Sequence, residues 1–178
     1  ALLDELQGWQ GTMESEKAAL AHRASHDMLT ALPNRAAFDE QLRQRIQTAE
    51  TKGQRFALLF IDADNFKAAN DNHGHAAGDA VLVALSERIK DTLRKSDFAA
   101  RIGGDEFIVL IDPLDESIRP DGLADRIRAS AAQPIALPGG ESYRLGLSVG
   151  AAVYPDDGTD ARALLTAADA AMYADKPH

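Results

Sequence analysis

The first segment of the chain repeats apolar residues every three or four positions, a spacing that predicts an amphipathic helix. The apolar positions of this repeat are Leu2, Leu6, Trp9, Met13 and Leu20. Glu16 and Arg23 take the two positions that would complete the apolar stripe, and Gly8 and Gly11 lie inside the same stretch. Charged seam residues and interior glycines both weaken a coiled coil. Two interpretations stay open: the coiled-coil end of a linker from an upstream module, or a helix that packs on the domain that follows.

A turn-rich joint at 26–35 comes next, and after it the hydrophobic pattern changes to that of a mixed domain. Asn34 is a residue type that caps helices, which predicts a helix over 35–50. The uninterrupted apolar run at 56–61 predicts a strand that is buried on both faces. Asp62 stands directly after this run, where the strand would reach the edge of the sheet. An aspartate at that position is either a metal ligand or an ordinary helix cap.

The rest of the chain alternates helical and extended patterns. In order, it predicts a polar segment at 66–75, a helix at 76–95, a hairpin of strands at 98–102 and 107–111, a helix at 122–132, strands at 134–137 and 143–154, and a last helix at 160–175. Helices interleaved with strands and a hairpin predict an α/β fold of the α+β sandwich type. We expect its central sheet to be mixed or antiparallel, with helices on its faces.

The predicted hairpin carries two glycines and two carboxylates at its tip, Gly103-Gly104-Asp105-Glu106. Glycine adopts positive φ angles without steric cost, so we expect Gly103 and Gly104 to form the turn in that way. Without a Cβ, they also let a ligand approach the backbone closely. Adjacent carboxylates repel each other, and a divalent cation with oxygen ligands would compensate that repulsion. Taken alone, the four residues favour a solvated polar turn.

Composition narrows the classes of function. The 178 residues are 45% apolar and 26% charged, which is typical of one globular domain, and there is no cysteine for disulfide or thiolate chemistry. The net charge of −9 argues against a nucleic-acid polymer as partner, because contacts to a phosphate backbone need a basic surface. A single nucleotide held by metal ions is compatible with this charge. No apolar run approaches the roughly 18 residues that a membrane-spanning helix needs.

Several polar residues at 67–79 are candidates for nucleotide contacts. Lys67 is suited to meet a phosphate, and Asn70 with Asp79 is suited to read a base edge, because a carboxylate accepts two donors at once. His73 and His75 invite a zinc site. Zinc is not favoured, since the chain has no cysteine and these two histidines lack the His-x-x-x-His spacing of a helical site.

Several groups of residues within roughly 24–176 match, in order, the sequence pattern of a known family. They are Asp27-x-Leu29-Thr30-Ala31-Leu32-Pro33-Asn34-Arg35, Asp62-x-Asp64-x-Phe66-Lys67-x-x-Asn70-Asp71-x-x-Gly74-His75-x-x-Gly78-Asp79, Gly103-Gly104-Asp105-Glu106-Phe107, Ser148-x-Gly150 and Ala168-Asp169-x-Ala171-Met172-Tyr173. With these positions the chain resembles the GGDEF domain of the diguanylate cyclase family. The resemblance implies a five-stranded central sheet like that of class III nucleotide cyclases and polymerase palms. It also implies an enzyme that joins two GTP molecules into cyclic di-GMP with release of two pyrophosphates.

The resemblance also implies how the chain is organised. It divides the sequence into a helical linker at 1–24 and a catalytic domain at 25–178. Each domain of this family binds one GTP, so activity implies a homodimer whose two domains face each other. The partners are then GTP and cyclic di-GMP, with no nucleic-acid polymer and no membrane contact by this segment. The location implied is the cytoplasm, either free or as the cytoplasmic part of an inner-membrane receptor.

The family pattern assigns the metal site. Asp62, the backbone carbonyl of Ala63, and Asp105 are expected to hold two Mg²⁺ or Mn²⁺ ions in each active site, with Glu106 assisting. Asp105 is the expected base for the 3′-hydroxyl of GTP. This assignment agrees with the chemistry, because attack on an α-phosphate needs a metal-activated oxygen and charge neutralisation more than covalent catalysis.

The same resemblance assigns nucleotide and product contacts. The substrate set is Gly103 and Gly104 beneath the nucleotide, Asn70 and Asp79 at the guanine, Lys67 and Lys176 at the phosphates, and His75 close to them. Arg94 and Asp97 match the product-binding inhibitory site of the family, to which Arg126 would contribute. A cation near a helix C-terminus is also favoured by the helix dipole, so Arg94 has a structural interpretation as well.

Two departures from the family pattern and one alternative function remain. Ala31 stands where the family usually has glycine, and the sequence printed here stops at His178, before a Gly-Arg-Asn segment that carries a phosphate-binding arginine. We therefore expect a piece of a longer protein with an incomplete grip on the triphosphate. The alternative is a catalytically silent GGDEF module that binds GTP or cyclic di-GMP to regulate a neighbour. The sequence favours the enzyme, because silent members usually lose motif residues that are present here.

Overall fold

The computed structural model describes residues 1–177, which contain six helices and six strands. In chain order they are α1 Leu2–Ser25, α2 Arg35–Lys52, β1 Phe56–Ala63, α3 Phe66–His73, α4 His75–Thr92, β2 Phe98–Arg101, β3 Glu106–Ile111, α5 Pro120–Ala131, β4 Ile135–Ala136, β5 Ser142–Tyr143, β6 Leu147–Tyr154 and α6 Ala161–Ala174. The last residue of the predicted catalytic domain, His178, lies outside the described residues. The predicted α+β sandwich is confirmed.

The polar segment at 66–75, to which the sequence assigned no helix, contains the helix α3 at Phe66–His73. Only Ala69 of α3 is buried, so the segment lacks the apolar stripe that would have revealed a helix. Gly74 separates α3 from α4 with a φ of 89°, a conformation that L-residues rarely adopt. The two helices therefore meet at a sharp corner rather than form one long helix.

The central sheet has four strands in the order β2-β3-β1-β6, and every pair is antiparallel. The fifth strand that the family resemblance implied is absent from the described sheet. Residues predicted to extend it form a separate ribbon in which β4 pairs only with β5. Arg88 of α4 gives the physical reason: its guanidinium donates to the carbonyl oxygens of Gln133 and Pro134, at 2.7 and 2.9 Å, and so holds this stretch against α4.

Strand β1 is the centre of the fold, and its six apolar residues at 56–61 are all buried, as predicted. Alternate residues point to opposite faces of the sheet. Leu59 and Ile61 belong to the core cluster shared with α4 and α5, whereas Leu58 and Phe60 belong to the cluster shared with α2 and α6. Helices thus cover both faces of the sheet, and the polar residues of β1 lie at its C-terminal end.

Helix α6 approaches the sheet unusually closely at Gly150 of β6. A Cβ built on Gly150 would lie 2.1 Å from the backbone nitrogen of Met172 and 2.2 Å from the carbonyl oxygen of Ala168. Real Cβ atoms do not tolerate such distances, so only glycine fits here. The Ser-x-Gly and Ala-Asp-x-Ala-Met-Tyr matches therefore include a packing contact between a strand and a helix.

Helix α1 buries none of its residues on the rest of the described chain. Its apolar stripe is exposed, from 52% at Leu6 to 73% at Trp9. The interpretation of α1 as a helix packed on the domain is therefore wrong.

Hydrogen bonds of Asn34 hold the joint that follows α1. Asn34 donates to the carbonyl oxygen of Ala24 at 2.8 Å and also caps α2 by accepting from the N–H of Ala37 at 3.1 Å. No helix within residues 1–177 combines the length and the apolar character needed to cross a bilayer.

Candidate active site

The end of β1 and the tip of the β2–β3 hairpin bring carboxylates together. Asp62 lies opposite Glu106 of β3 and opposite Ser148 of β6 in the sheet. The backbone N–H of Ala63 donates to the carbonyl oxygen of Asp105 at 3.1 Å. The register of the central strand therefore fixes the four predicted metal-site residues next to one another.

The hairpin turn differs from its prediction. Gly103 and Gly104 do not adopt positive φ angles, so the predicted turn geometry was wrong. Instead, the N–H groups of Ile102 and Gly103 donate to the carbonyl oxygen of Glu106 at 3.0 and 3.4 Å. The glycines matter for space: a Cβ on Gly103 would lie 2.9 Å from a carboxylate oxygen of Glu106, and a Cβ on Gly104 would meet nothing within 4 Å. Gly104 thus leaves open room above the backbone.

Crowding of the carboxylates changes their protonation. Burial, together with the neighbouring charge of Asp62, raises the pKa of Asp105 to about 6. Burial also raises the pKa of Glu106, with added repulsion from Asp62 and from Asp169 of α6. The site therefore resists holding all of its negative charges unless a cation is present.

Lys176 supplies one such cation. Its Nζ atom lies 2.6 Å from Oδ2 of Asp62, and the exposed fractions of the two side chains are 33% and 14%. Burial alone would lower the pKa of Lys176, but the hydrogen bond and the charges of Asp62, Asp64 and Asp105 outweigh burial and raise it. The Oδ1 atom of Asp62 is buried and has no hydrogen-bond partner within residues 1–177.

These observations fit a divalent cation. A buried carboxylate oxygen without a partner, beside a second carboxylate with a raised pKa, is the donor chemistry that Mg²⁺ or Mn²⁺ requires. Three or more His, Cys, Asp or Glu side chains do not gather into a metal cluster anywhere in residues 1–177. A cation at Asp62 and Asp105 would therefore need further oxygen ligands from the backbone or from a phosphate.

The corner between α3 and α4 groups the predicted base-contacting residues. Asn70 of α3 lies against the backbone of Gly78 on α4, because a Cβ built on Gly78 would lie 1.7 Å from Oδ1 of Asn70. Asp79 follows Gly78 and is exposed, as are Lys67 and His75. No hydrogen bond within the described chain joins this corner to Asp62 or Asp105. The corner and the carboxylates are two separate parts of one candidate surface.

His73 and His75 lie on different helices and have different surroundings. His73 pairs through Nδ1 with the carboxylate of Glu141 at 2.8 Å and packs edge-on against Tyr143 of β5. His75 begins α4 on the other side of Gly74. His73 therefore ties α3 to the β4–β5 ribbon.

Arg94 and Asp97 form a fork of hydrogen bonds beyond the end of α4. Arg94 donates to the carboxylate of Asp97 from its backbone N–H at 2.9 Å and from its guanidinium at 2.9 and 3.2 Å, and also to the carbonyl oxygen of Pro113 at 2.9 Å. The Asp97 side chain is 2% exposed. Arg126 of α5 is exposed and donates to the carbonyl oxygen of Thr92 at 3.4 Å, which brings it to the same region. Arg94 is thus held by an ion pair.

Sequence comparison identifies the family. The family model described as "Diguanylate cyclase, GGDEF domain" matches residues 24–178. The chain belongs to the GGDEF family. Diguanylate cyclase TpbB of Pseudomonas aeruginosa is 49% identical over 173 residues, which are 97% of this chain and 40% of TpbB. MucR of the same organism, a bifunctional diguanylate cyclase/cyclic di-GMP phosphodiesterase, is 45% identical over 86% of this chain and 22% of MucR. This GGDEF domain thus spans about two fifths or less of the length of these curated relatives.

Solved structures share the fold of this GGDEF domain. The isolated GGDEF domain of TpbB has a TM-score of 0.81 at 47% identity, covering 84% of this chain and 87% of that one. The coiled coil and GGDEF domain of DgcB from Caulobacter crescentus, solved in complex with c-di-GMP, has a TM-score of 0.88 at 28% identity, covering 97% of this chain and 91% of that one. The antiparallel sheet flanked by helices is thus the fold of the family.

Two contacts of this GGDEF domain involve residues whose roles the sequence did not assign. Ser148 is fully buried and donates to Oδ1 of Asp64 at 2.5 Å, while the N–H of Asp64 donates to the carbonyl oxygen of Gly146 at 2.9 Å. Asp64 is thereby held on β6 at the edge of the site. Both residues stood in the ordered matches, but no local pattern shows that they meet.

The second contact runs from the joint after α1 to the hairpin. Asp27 accepts from the backbone and hydroxyl of Thr30, both at 2.8 Å, and from the guanidinium of Arg101, at 3.1 Å to each carboxylate oxygen. The same guanidinium donates to the carbonyl oxygen of Gly104 at 3.1 and 2.8 Å. One arginine therefore connects the joint to the residue before Asp105.

Proposed function

We propose that residues 25–178 are the catalytic domain of a diguanylate cyclase and that residues 1–24 are a helical linker. The domain would condense two GTP molecules into cyclic di-GMP and release two pyrophosphates. The observation that carries this proposal is the proximity of Asp62 and Asp105, where one buried carboxylate oxygen of Asp62 lacks a partner within residues 1–177, and burial with the charge of Asp62 raises the pKa of Asp105 to about 6. Identity of 49% to a diguanylate cyclase over 97% of this chain supports it.

The carboxylates would hold the metal ions. Asp62, the carbonyl oxygen of Ala63, and Asp105 would bind two Mg²⁺ or Mn²⁺ ions, with Glu106 assisting. When bound, such ions neutralise the triphosphate and favour ionisation of the attacking hydroxyl. Asp105 would accept the proton of the 3′-hydroxyl. The N–H of Ala63 donates to the carbonyl oxygen of Asp105, and Asp62 lies opposite the next residue, Glu106. Rigid positioning of this kind is a main source of rate in phosphoryl transfer.

The α3–α4 corner would select the base. Guanine presents two neighbouring donors, N1–H and N2–H, which the carboxylate of Asp79 would accept together, and Asn70 would contact the remaining edge. Lys67 and Lys176 would bind the phosphates, with His75 close to them. The open space above Gly104 would let the nucleotide lie against the hairpin backbone between corner and carboxylates.

Two domains would be needed for one reaction, since each binds one GTP and cyclic di-GMP contains two nucleotides. The exposed apolar stripe of α1 is the feature that supports pairing, with Leu6, Trp9 and Met13 more than half exposed. Glu16 and Arg23 in the same stripe make this pairing weak. Upstream segments would then control activity by bringing two α1 helices together.

Product would bind at Arg94 and Asp97, with Arg126 contributing, since guanidinium groups suit the phosphates of cyclic di-GMP. The fork between Arg94 and Asp97 fixes the direction of one guanidinium. Arg94→Ala should relieve inhibition by cyclic di-GMP while Asp62 and Asp105 stay intact. Failure of the wild-type protein to bind micromolar cyclic di-GMP in calorimetry would leave Arg94 with a purely structural role.

The deciding experiment incubates the protein with GTP and Mg²⁺ and separates the nucleotides by chromatography. Asp62→Asn and Asp105→Asn should each lower cyclic di-GMP synthesis at least about a hundredfold and leave the circular dichroism spectrum unchanged. Asp156→Asn is the matched control, because Asp156 is an exposed carboxylate paired with Arg55 far from the site. Near-normal synthesis by Asp105→Asn at saturating Mg²⁺ refutes the assignment. Tight GTP binding without synthesis by the wild-type protein would identify a silent regulatory module.

A further inference from the structure

Lys176 occupies a cation's position beside Asp62. It follows the last residue of α6 by two positions, and its backbone N–H donates to the carbonyl oxygen of Tyr173 at 3.2 Å, which fixes the chain there. Its ammonium group then reaches Oδ2 of Asp62 at 2.6 Å, across 114 residues of sequence. The contact joins the end of the last helix to the end of the central strand.

The ammonium group serves several carboxylates at once. Its charge interacts favourably with Asp62, Asp64 and Asp105, and the charges of Arg35 and Lys176 oppose the rise in the pKa of Glu106. Of the other nearby cations, Arg101 pairs with Asp27, and Arg35 pairs with Asp39 while its charge also acts on Glu106. Lys176 is therefore the cation that touches the end of β1.

We propose that Lys176 is the counter-ion of the carboxylates at the end of β1 and that it has to release Asp62 before two divalent cations bind there. This inference rests on the proposed function, because it assumes that Asp62 is a metal ligand. Oδ1 of Asp62 has no partner among the described residues, but the ammonium 2.6 Å from Oδ2 repels a cation on Oδ1 and keeps Oδ2 from coordinating a second one. Coordination of two cations by both oxygens of Asp62 therefore requires that Lys176 leave. The side chain is one third exposed, so the released ammonium has a free path toward the bound phosphates.

The inference predicts opposite effects of one substitution. Lys176→Met keeps the apolar stem and removes the charge. Without the competing ammonium, the carboxylates should bind Mn²⁺ about three- to tenfold more tightly in the absence of nucleotide, because the competent state is no longer reduced by the ion pair. GTP binding should weaken, because a phosphate contact is lost. If Lys176 only supported the structure of the site, Lys176→Met would weaken both Mn²⁺ binding and GTP binding.

The test measures Mn²⁺ binding by electron paramagnetic resonance and GTP binding by calorimetry. Lys67→Met is the matched control: Lys67 is exposed on α3 and makes no hydrogen bond to Asp62. This control should weaken GTP binding and leave Mn²⁺ affinity unchanged. Equal or weaker Mn²⁺ binding by Lys176→Met, or no Mn²⁺ binding by either protein, overturns the inference.

A second measurement uses no metal. In EDTA, Lys176→Met should lower the thermal midpoint of the wild-type protein, and the same substitution should have no effect in an Asp62→Asn background. Equal effects in both backgrounds also overturn the inference. These readouts are independent of turnover. Tighter Mn²⁺ binding by Lys176→Met, with no cyclic di-GMP synthesis by the wild-type protein, would support the counter-ion role and refute the proposed cyclase. Cyclic di-GMP synthesis by the wild-type protein, without tighter Mn²⁺ binding by Lys176→Met, would refute only the counter-ion role.

Discussion

Replacing Arg101 by methionine removes the guanidinium that links the joint after α1 to the β2–β3 hairpin. The substitution leaves Asp27 with a charge that is only about one fifth exposed, and it leaves the carbonyl oxygen of Gly104 without two donors. Hydrogen bonds to charged groups contribute about 1.5–3 kcal/mol, and breaking a fully buried ion pair costs about 3–5 kcal/mol. Because both side chains keep some solvent access, we expect a loss of about 2–3 kcal/mol.

Urea titrations measure this loss directly. For a domain of this size, about 2–3 kcal/mol corresponds to a fall of about 5–10 °C in Tm. In a double-mutant cycle, Arg101→Met and Asp27→Asn should show a coupling energy of about 1–2 kcal/mol. Arg55→Met is the control, since its pair with Asp156 is more than half exposed and should contribute less than about 1 kcal/mol.

Turnover separates a positioning role of Arg101 from a stabilising one. Gly104 directly precedes Asp105, so a loosened carbonyl should lower kcat for cyclic di-GMP synthesis with little change in KM. Arg101→Lys keeps the charge but cannot reproduce the fork, and it should restore stability more than kcat. Strict additivity of the Asp27 and Arg101 substitutions, or unchanged kcat in Arg101→Met, would refute the reasoning.

The same pair predicts a pH dependence. Burial pushes the pKa of Asp27 upward, but hydrogen bonds from Thr30 and Arg101 outweigh it and hold the pKa below its ordinary value of 3.8. A carboxyl whose folded pKa is depressed stabilises the protein above its unfolded pKa and loses that contribution as the pH falls through the folded value. Wild-type stability should therefore fall below about pH 4 more steeply than that of Asp27→Asn in urea titrations at stepped pH.

Four further predictions follow from other parts of the molecule. Wild-type protein should prefer GTP to ATP about a hundredfold or more in binding titrations, and Asp79→Ala should reduce this preference at least about tenfold; equal binding of both nucleotides by the wild type would remove Asp79 from base selection. Arg88→Met should cost about 1–3 kcal/mol in urea titrations, because the guanidinium donates to four backbone carbonyls at 2.7–3.1 Å; an unchanged titration would contradict this. Gly150→Ala should cost more than about 3 kcal/mol or abolish soluble expression, since its Cβ would meet the backbone of α6; a normal Tm would show that α6 can shift. Below the dimer dissociation constant, the rate should rise with about the square of protein concentration, and Glu16→Leu with Arg23→Leu should raise specific activity; rapid, linear turnover by a monomer in sedimentation would contradict the two-domain mechanism.

The fold was predictable where burial leaves a local pattern in the sequence. The run at 56–61 is apolar throughout because β1 is covered by helices on both faces, and it was identified as a buried strand. Helix α3 was missed because a single buried residue, Ala69, leaves no stripe to detect. The β4–β5 ribbon was placed in the central sheet because strand propensity says nothing about the partner of a strand. Its position depends on Arg88, which lies more than forty residues earlier in the chain.

The candidate site shows the same division between local and distant information. Asp62 was found from the apolar run before it, whereas the contact between Asp27 and Arg101 spans 74 residues and leaves no local periodicity. The glycine pair was interpreted through backbone freedom, yet Gly103 and Gly104 provide space rather than positive φ angles. A glycine in a sequence is consistent with either property, and only the three-dimensional neighbours distinguish them.

The residues that match the family pattern include some that maintain the fold and some that could bind a ligand. A motif alone therefore does not assign a chemical role to each of its residues. Gly150 belongs to the ordered matches, but its surroundings are the backbone of α6, so its constraint is close packing. Asp27 belongs to them too, and its partners are Thr30 and Arg101. Asp62 differs from both, because a buried oxygen without a partner has no structural explanation in the folded chain. Within residues 1–177, Nε of Arg45 also lacks a partner, but the guanidinium of Arg45 pairs with Asp112, whereas Asp62 stands beside a second carboxyl with a raised pKa. A missing partner together with neighbouring carboxylates is therefore what separates Asp62 from residues kept for the fold, and it is the reason to test the end of β1 for a ligand.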